Sequence, residues 1–411
     1  MKQAIILAGG LGTRLQPTLP DLPKCLAPVA GKPFLFHIVN YLRSQGINEF
    51  IFSIGHLKEL VVQYLYEDFA TLDYKLSIED EPLGTGGAIK QSMEFVTGGT
   101  VLVANGDTLF KVNIPSMLDF HGKKKASCTL ALKPMQHFDR YGAVELDENQ
   151  SVKAFREKKI FENGLVNGGF YILNKQPFLG LQRLEKFSFE SQFLEKHSNE
   201  IYGFIQDKYF IDIGIPEDYY RADRELKRTP MNLGDIDKSW TLFLDRDGVI
   251  NHEKPDGYIL NANEFVFYEG VKETFHLLNQ KFGKIIVVTN QRGIGKGMMT
   301  EESLHEIHEK MKRDISEANG KIDSVYYCTS VDNRHPERKP NPGMAFRAMN
   351  ELPGIVPEKS IIAGNKLSDM KFGRNSGLYS IYIRSTHPEQ ALPHPDIDMA
   401  FDSLADFARS L

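Results

Sequence analysis

Two carboxylates stand two residues apart in Thr241-Leu242-Phe243-Leu244-Asp245-Arg246-Asp247-Gly248-Val249-Ile250-Asn251, directly behind an apolar run that reads as a buried strand. That spacing suits a nucleophile and an acid. Asp245 can attack phosphorus while Asp247 protonates the leaving alkoxide and then activates water, with Mg2+ cancelling the repulsion between carboxylate and phosphate. Far upstream, Leu7-Ala8-Gly9-Gly10-Leu11-Gly12-Thr13-Arg14-Leu15 places a glycine-rich turn after another apolar run, where backbone N–H groups approach phosphates with no Cβ in the way. Arg14, and Lys24 in Pro23-Lys24-Cys25-Leu26-Ala27-Pro28-Val29, bring two cations to one triphosphate.

The ordered pair of motifs in residues 7–33 resembles the sugar-nucleotide pyrophosphorylase family, with its Gly-Gly-x-Gly-Thr-Arg-Leu loop followed by Pro-Lys-x-Leu-x-Pro-Val. The likeness runs through about residues 1–228. It implies that Leu7, Gly9, Gly10, Gly12 and Thr13 hold the nucleotide, and that Glu81-Pro82-Leu83-Gly84-Thr85-Gly86-Gly87, with Glu81 and Gly86 as its site residues, holds the base and opens a helix. Asp107 of Asn105-Gly106-Asp107, also at the nucleotide, and Asp212 of Phe210-Ile211-Asp212 become the Mg2+ ligands. Glu157-Lys158 and Asn167-Gly168 match the segments for the sugar and its phosphate. The reaction so implied is attack of a sugar-1-phosphate oxygen on the α-phosphorus of a nucleoside triphosphate, with pyrophosphate leaving. No protein nucleophile is required, and Arg14, Lys24 and Mg2+ would carry the charge.

The second carboxylate pair resembles motif I of the haloacid dehalogenase-like phosphatases, in the form found in the histidinol-phosphate and heptose-bisphosphate branch. Thr289 and Asn290 of Val288-Thr289-Asn290-Gln291 are then phosphate-binding, and Lys339 of Arg338-Lys339-Pro340 clamps the phosphate. Asp245, Asp247, Asn365 and Asp369 form the metal set, with Asn365 standing where the family usually has an aspartate. An amide still offers an oxygen but brings no charge. Cys328 and His335 leave too few soft ligands for the zinc knot of bacterial relatives, so no zinc is expected.

Short β-branched runs alternate with amphipathic stretches in both halves, which predicts mostly parallel sheets with helices on both faces. The expected architecture is α/β: a doubly wound, Rossmann-like (GT-A-like) domain over 1–229, a connector over 230–238, and a capless haloacid dehalogenase-like domain over 239–411. Predicted strands include Ala4–Leu7, Phe50–Ile54, Thr100–Val103, Thr241–Leu244, Lys284–Val288 and Ser360–Ala363. A hairpin-like stretch is expected at Gly257–Ile259. The gaps between the phosphatase motifs are too short for a large cap, so that site should be open to a terminal sugar phosphate.

Composition sets the outer bounds. In 411 residues, 41% hydrophobic and 25% charged, no apolar run reaches the roughly 20 residues needed to span a bilayer. A net charge of −5 without an extended basic block argues against a nucleic-acid partner, and three scattered cysteines argue for a reducing, cytoplasmic setting. A homo-oligomer is left open. Joining the halves gives consecutive steps on one sugar bisphosphate, for which the resemblance implies D-glycero-D-manno-heptose 1,7-bisphosphate and GTP. The rivals are a hexose-1-phosphate nucleotidyltransferase fused to a histidinol-phosphate phosphatase, or to a catalytically weak regulatory module.

Overall fold

The strands at the centre of each sheet are apolar along most of their length because both of their faces are covered. In the computed structural model, which describes all residues except 11–14, 16–17, 182–183, 198–199, 228 and 255–256, the chain divides into two compact units, Met1–Arg228 and Thr229–Leu411.

The first unit holds a nine-stranded sheet: β1 (Gln3–Leu7), β2 (Glu49–Ile54), β3 (Asp73–Ile78), β4 (Thr100–Asn105), β5 (Cys128–Phe138), β6 (Ala143–Leu146), β7 (Val152–Arg156), β8 (Phe161–Asn174) and β9 (Ile201–Ile205). Its main path runs β7-β6-β8-β4-β1-β2-β3, with β5 joining β8 to β9. The quartet β3-β2-β1-β4 is parallel, with Ile6 registered against Phe52 on one side and Ala104 on the other. Strand alternation then splits the core: Ala4 and Ile6 enter the apolar cluster on one face, and Ile5 the cluster on the opposite face. All three are fully buried, a gain of roughly 1.5–3 kcal/mol for each isoleucine. The expectation of a mostly parallel sheet needs correction here. β8 runs antiparallel to β4, β5 and β6, and β7 antiparallel to β6, so the sheet is mixed.

The second unit is a six-stranded parallel sheet of β10 (Thr241–Leu244), β11 (Lys284–Asn290), β12 (Ser324–Cys328), β13 (Ser360–Gly364), β14 (Tyr379–Ile383) and β15 (Met399–Phe401). Its order is β12-β11-β10-β13-β14-β15. This is the doubly wound order in which the direction of winding reverses beside the first strand, and ligands bind at the carboxyl ends flanking that reversal. Residues 230–238, expected as a connector, lie in this unit and bury Met231 and Ile236 in its core. The hairpin expected at Gly257–Ile259 is absent among the described residues; the antiparallel bridge there joins Asn251 to Phe267 instead. Helices Val271–Lys281 and Glu301–Glu317 fill the gaps between the carboxylate motif and Lys339. Among the described residues no helix is long and apolar enough to cross a membrane.

Two candidate active sites

In the first unit the chain leaves β1 at Leu7 and β4 at Asn105, and these two neighbouring exits are pressed together. Gly106 N–H donates to the Leu7 carbonyl at 2.9 Å, and a Cβ at Gly106 would lie 2.7 Å from that oxygen, so only glycine fits. Asp107 is thereby set beside the glycine turn. A short ribbon of Thr108–Phe110 against Phe210–Asp212 brings up the second acid, with Asp212 opposite Thr108 and Ile213 N–H donating to Asp107 O at 3.0 Å. Lys24 Nζ donates to Asp107 Oδ2 at 2.5 Å. A Cβ on Gly214 would stand 2.8 Å from Asp212 Oδ1 and 3.2 Å from Lys24 Nζ, so ammonium and both carboxylates converge on one small volume. Gly12, Thr13 and Arg14 lie outside the described residues.

Beside this cluster a cavity of about 500 Å3 is lined by Leu7, Gly9, Gly10, Glu81, Gly84 and Thr85, among others. Its wall includes Glu79, two residues ahead of the motif that begins at Glu81. Glu79 Oε2 accepts from Leu83 N–H at 3.1 Å and Oε1 from the Ser53 hydroxyl at 3.3 Å. Gly86 is among the base-loop residues but does not line this cavity. It is buried under Phe187, whose ring would be 2.1 Å from a Cβ at that position. Gly86→Ala should therefore overpack the helix Gly84–Ser92 and cost about 1–3 kcal/mol. Thermal unfolding checks this, and an unchanged Tm would mean that the Phe187 ring relocates freely.

On the sugar side, β8 bulges between Asn167 and Tyr171. Gly168 packs on the Phe110 ring, and Gly169, at φ +71, packs on Asn105. Asn167 Nδ2 donates to the Tyr171 hydroxyl at 2.9 Å, and its Oδ1 accepts from Gly169 N–H at 3.1 Å. The bulge thus abuts the segment that carries Asp107. Glu157 and Lys158 are exposed after β7, and among the described residues no hydrogen bond or ion pair joins them to that cluster.

In the second unit Asp245 caps β10 at the reversal point, its N–H extending the ladder to Ala363 O at 3.0 Å. Lys339 Nζ lies 2.7 Å from Asp245 Oδ1 and 2.7 Å from Asp369 Oδ1, and donates to Val288 O at 2.8 Å. All three side chains are buried. Burial pushes the Asp245 carboxyl up to about 6; Lys339 pulls it down, and Asp369 and Asp247 push it up again. Burial alone would lower Lys339, but Asp245 and Asp369 outweigh it and keep the amine charged. The Asn290 side chain is engaged with Lys339 itself, donating to its carbonyl and accepting from its N–H, each at 3.1 Å. Thr289 Oγ1 accepts from Gln291 Nε2 at 2.8 Å.

Asp247 is gripped by Arg246, Asn251 and Gln291. Arg246 donates to both of its oxygens at 3.0 Å, Asn251 to Oδ1 at 3.0 Å and Gln291 to Oδ2 at 3.0 Å. Burial would raise this carboxyl, yet Arg246 with the Asn251 and Gln291 hydrogen bonds holds it below the usual range. Arg246 is itself fully buried, 3.2 Å from His308 Nε2, whose ring burial and the guanidinium together drive down to about 3. His308 is thus a neutral acceptor that orients Arg246. The only signal in the sequence was an arginine placed between two aspartates.

Above these groups opens a cavity of about 890 Å3, walled by Tyr258, Tyr268, Arg292, Arg338 and His387 among others.

Among the described residues no group of three or more His, Cys, Asp and Glu is spaced to hold a metal ion. The donor chemistry nevertheless fits Mg2+, which takes one or two carboxylates and completes its shell with substrate phosphates and water. Asp107 and Asp212 supply such a pair in the first unit. In the second, Asp245 Oδ2, the Asp247 carbonyl and the Asn365 side chain stand together, with 3.3 Å separating the Asn365 atom from each of the other two.

Residues 3–229 match the family model described as nucleotidyl transferase, and residues 235–378 match the model described as polynucleotide kinase 3 phosphatase. The chain is 48% identical over 227 residues to a D-glycero-alpha-D-manno-heptose 1-phosphate guanylyltransferase of Aneurinibacillus thermoaerophilus, spanning 55% of this chain and 98% of that one. It is 47% identical over 220 residues to a protein of the same description from Campylobacter jejuni, spanning 53% and 97%. Among solved structures, HddC from Yersinia pseudotuberculosis aligns over 55% of this chain and all of its own, at 36% identity and a TM-score of 0.52. A second HddC structure, complexed with GMP-PN, aligns at 35% identity and a TM-score of 0.51.

Proposed function

We propose that this chain, which belongs to the nucleotidyl transferase family and carries a phosphatase unit behind it, performs two consecutive steps on one sugar bisphosphate. The first removes the 7-phosphate of D-glycero-D-manno-heptose 1,7-bisphosphate. The second transfers a nucleotidyl group from GTP to the heptose 1-phosphate and releases pyrophosphate. The observation that carries the reading is the near-complete coverage of two heptose 1-phosphate guanylyltransferases by one unit, fused to a second unit whose buried Asp245 and Lys339 suit phosphate-ester cleavage.

In the phosphatase, Asp245 attacks phosphorus at the open end of the cavity. Lys339 stays protonated between Asp245 and Asp369 and neutralises charge gathering on the phosphoryl oxygens. Asp247 protonates the leaving sugar oxygen and then takes a proton from the water that hydrolyses the aspartyl phosphate. To do so it must first turn out of the Arg246, Asn251 and Gln291 grip, which holds it ionised, and take up a proton from the solvent of the open cavity. In the transferase, Lys24 brings its ammonium to the triphosphate from its place at Asp107, and the cavity at Gly9, Gly10 and Glu81 receives the base. Mg2+ in either unit would supply charge neutralisation at phosphorus, held by Asp107 and Asp212 or by Asp245, Asp247, Asn365 and Asp369.

The phosphatase model's description names polynucleotides, yet a chain of net charge −5 is poorly suited to a polyanionic strand, which favours a small sugar phosphate. We place the enzyme in the cytoplasm. The test is a panel of sugar phosphates supplied with GTP and Mg2+. Phosphate release from heptose 1,7-bisphosphate together with pyrophosphate release from heptose 1-phosphate is expected, and rejection of every heptose phosphate by both units would sink the proposal.

A further inference from the structure

The amide of Asn365 is fully buried on the turn after β13 and has little room. Gly248, at φ +87, lies against it, and a Cβ there would stand 2.0 Å from the end of the amide and 2.7 Å from its Cγ. Its hydrogen bonds are satisfied in one orientation, in which Nδ2 donates to Asp245 Oδ2 and the Asp247 carbonyl at 3.3 Å each and Oδ1 accepts from the Thr386 hydroxyl at 2.7 Å. The amide turned over would fill the same space, with Nδ2 toward Thr386 Oγ1 and Oδ1 toward Asp245 Oδ2 and the Asp247 carbonyl, and would set three acceptors together with no proton among them. A hydroxyl both donates and accepts, so Thr386 serves either orientation.

Oxygens this close without a hydrogen are favourable only around a positive charge. Ligands about 2.1 Å from Mg2+ and at right angles lie about 3 Å apart, near the spacing seen. An aspartate at this position would present oxygen whichever way it turned. Without a cation it would also add a third buried carboxylate to Asp245 and Asp369, with Lys339 as the one amine between those two. The amide avoids this by offering its own N–H.

We infer that Asn365 is a two-way ligand of the phosphatase cation, oxygen inward when the ion is bound and nitrogen inward when it is not, with Thr386 as the pivot. This rests on the phosphatase reading of the second unit. Loading the ion displaces a pair of internal hydrogen bonds, so the site binds more weakly than an all-carboxylate one, and the ion-free protein remains intact.

The test measures cation binding without substrate, so that an error about the sugar is not mistaken for an error about the ligand. Full-length parent and Asn365→Asp are titrated with Mn2+, free ion being followed by electron paramagnetic resonance, and both are unfolded thermally in chelator. The variant should bind at one site roughly tenfold more tightly or better, because a charged ligand replaces a neutral one. It should also unfold at a lower temperature than the parent in chelator and recover when Mn2+ is added. Equal affinity, or equal stability without metal, overturns the inference. If Asn365→Asp does not fold, parent protein labelled with 15N-asparagine decides it. The Asn365 side-chain resonance, assigned by its loss in Asn365→Ser, should shift on Mg2+ saturation as its partner changes from carboxylate to hydroxyl, and a stationary resonance overturns the inference. Should these results hold while no heptose phosphate is cleaved, only the substrate assignment falls.

Discussion

Asp245→Asn should lose phosphate release by roughly 10^4-fold or more, because the covalent nucleophile is replaced by an isostere that cannot attack, while pyrophosphate release from GTP and supplied heptose 1-phosphate stays at the parental level. The prediction is clean because the substitution does not empty the site. Lys339 keeps Asp369 at 2.7 Å and the Val288 carbonyl at 2.8 Å, so its ammonium is not stranded. Nor should the fold suffer. Burial raises the Asp245 carboxyl above its unfolded value, so the folded state binds the proton more tightly, and the ionised side chain costs stability as pH climbs through that window to about 6. A neutral amide removes that cost, and Tm near pH 7.5 should be no lower than the parent's. Intact protein given the bisphosphate and GTP should release phosphate and then pyrophosphate, whereas the variant should accumulate the bisphosphate. If the parent releases no phosphate from the bisphosphate, the heptose assignment falls; if it releases none from any sugar phosphate, the second unit is a regulatory module and the asparagine at 365 is the reason to look at first.

The parts of this molecule that were legible in the sequence are those where one residue type suffices. Strands β1, β4, β10 and β11 are apolar through their centres because both faces are buried there, and their ends deliver Gly9, Asp107, Asp245 and Thr289. The edge strand β3 escaped notice because Asp73, Lys75 and Ile78 are exposed, and its Asp-Tyr-Lys-Leu-Ser-Ile sequence offers no long apolar run. Missing β3 meant missing Glu79 directly behind it. Gly86 shows the opposite failure. A glycine in a motif reads as close approach to a ligand, but here the approaching group is the Phe187 ring, about a hundred residues away and carried by no local pattern. The grip on Asp247 was hidden for the same reason: His308 and Gln291 meet Arg246 and Asp247 only through the parallel crossovers.

Lys24→Met should depress nucleotidyl transfer by roughly 10^2- to 10^3-fold, the usual cost of removing one preorganised charge from a transition state that gathers negative charge. Stability should hardly change. The Lys24 side chain is 14% exposed and that of Asp107 31%, so solvent screens the pair and its loss costs on the order of 0–1 kcal/mol. A large fall in turnover with an unchanged Tm therefore separates chemistry from folding. Lys24→Arg should rescue little, because a planar guanidinium does not reproduce the compact point charge that the ammonium sets against Asp107 beside Gly214. Phosphate release from the bisphosphate should stay at the parental rate, so that heptose 1-phosphate accumulates when GTP is present. That product is the complement of the one left by Asp245→Asn. Accumulation of bisphosphate in one variant and monophosphate in the other would fix the order of the two steps from the protein's own residues. If Lys24→Met transfers at the parental rate, the Lys24 ammonium is no more than a partner that keeps Asp107 in place, and the charge on the triphosphate must be met by other groups.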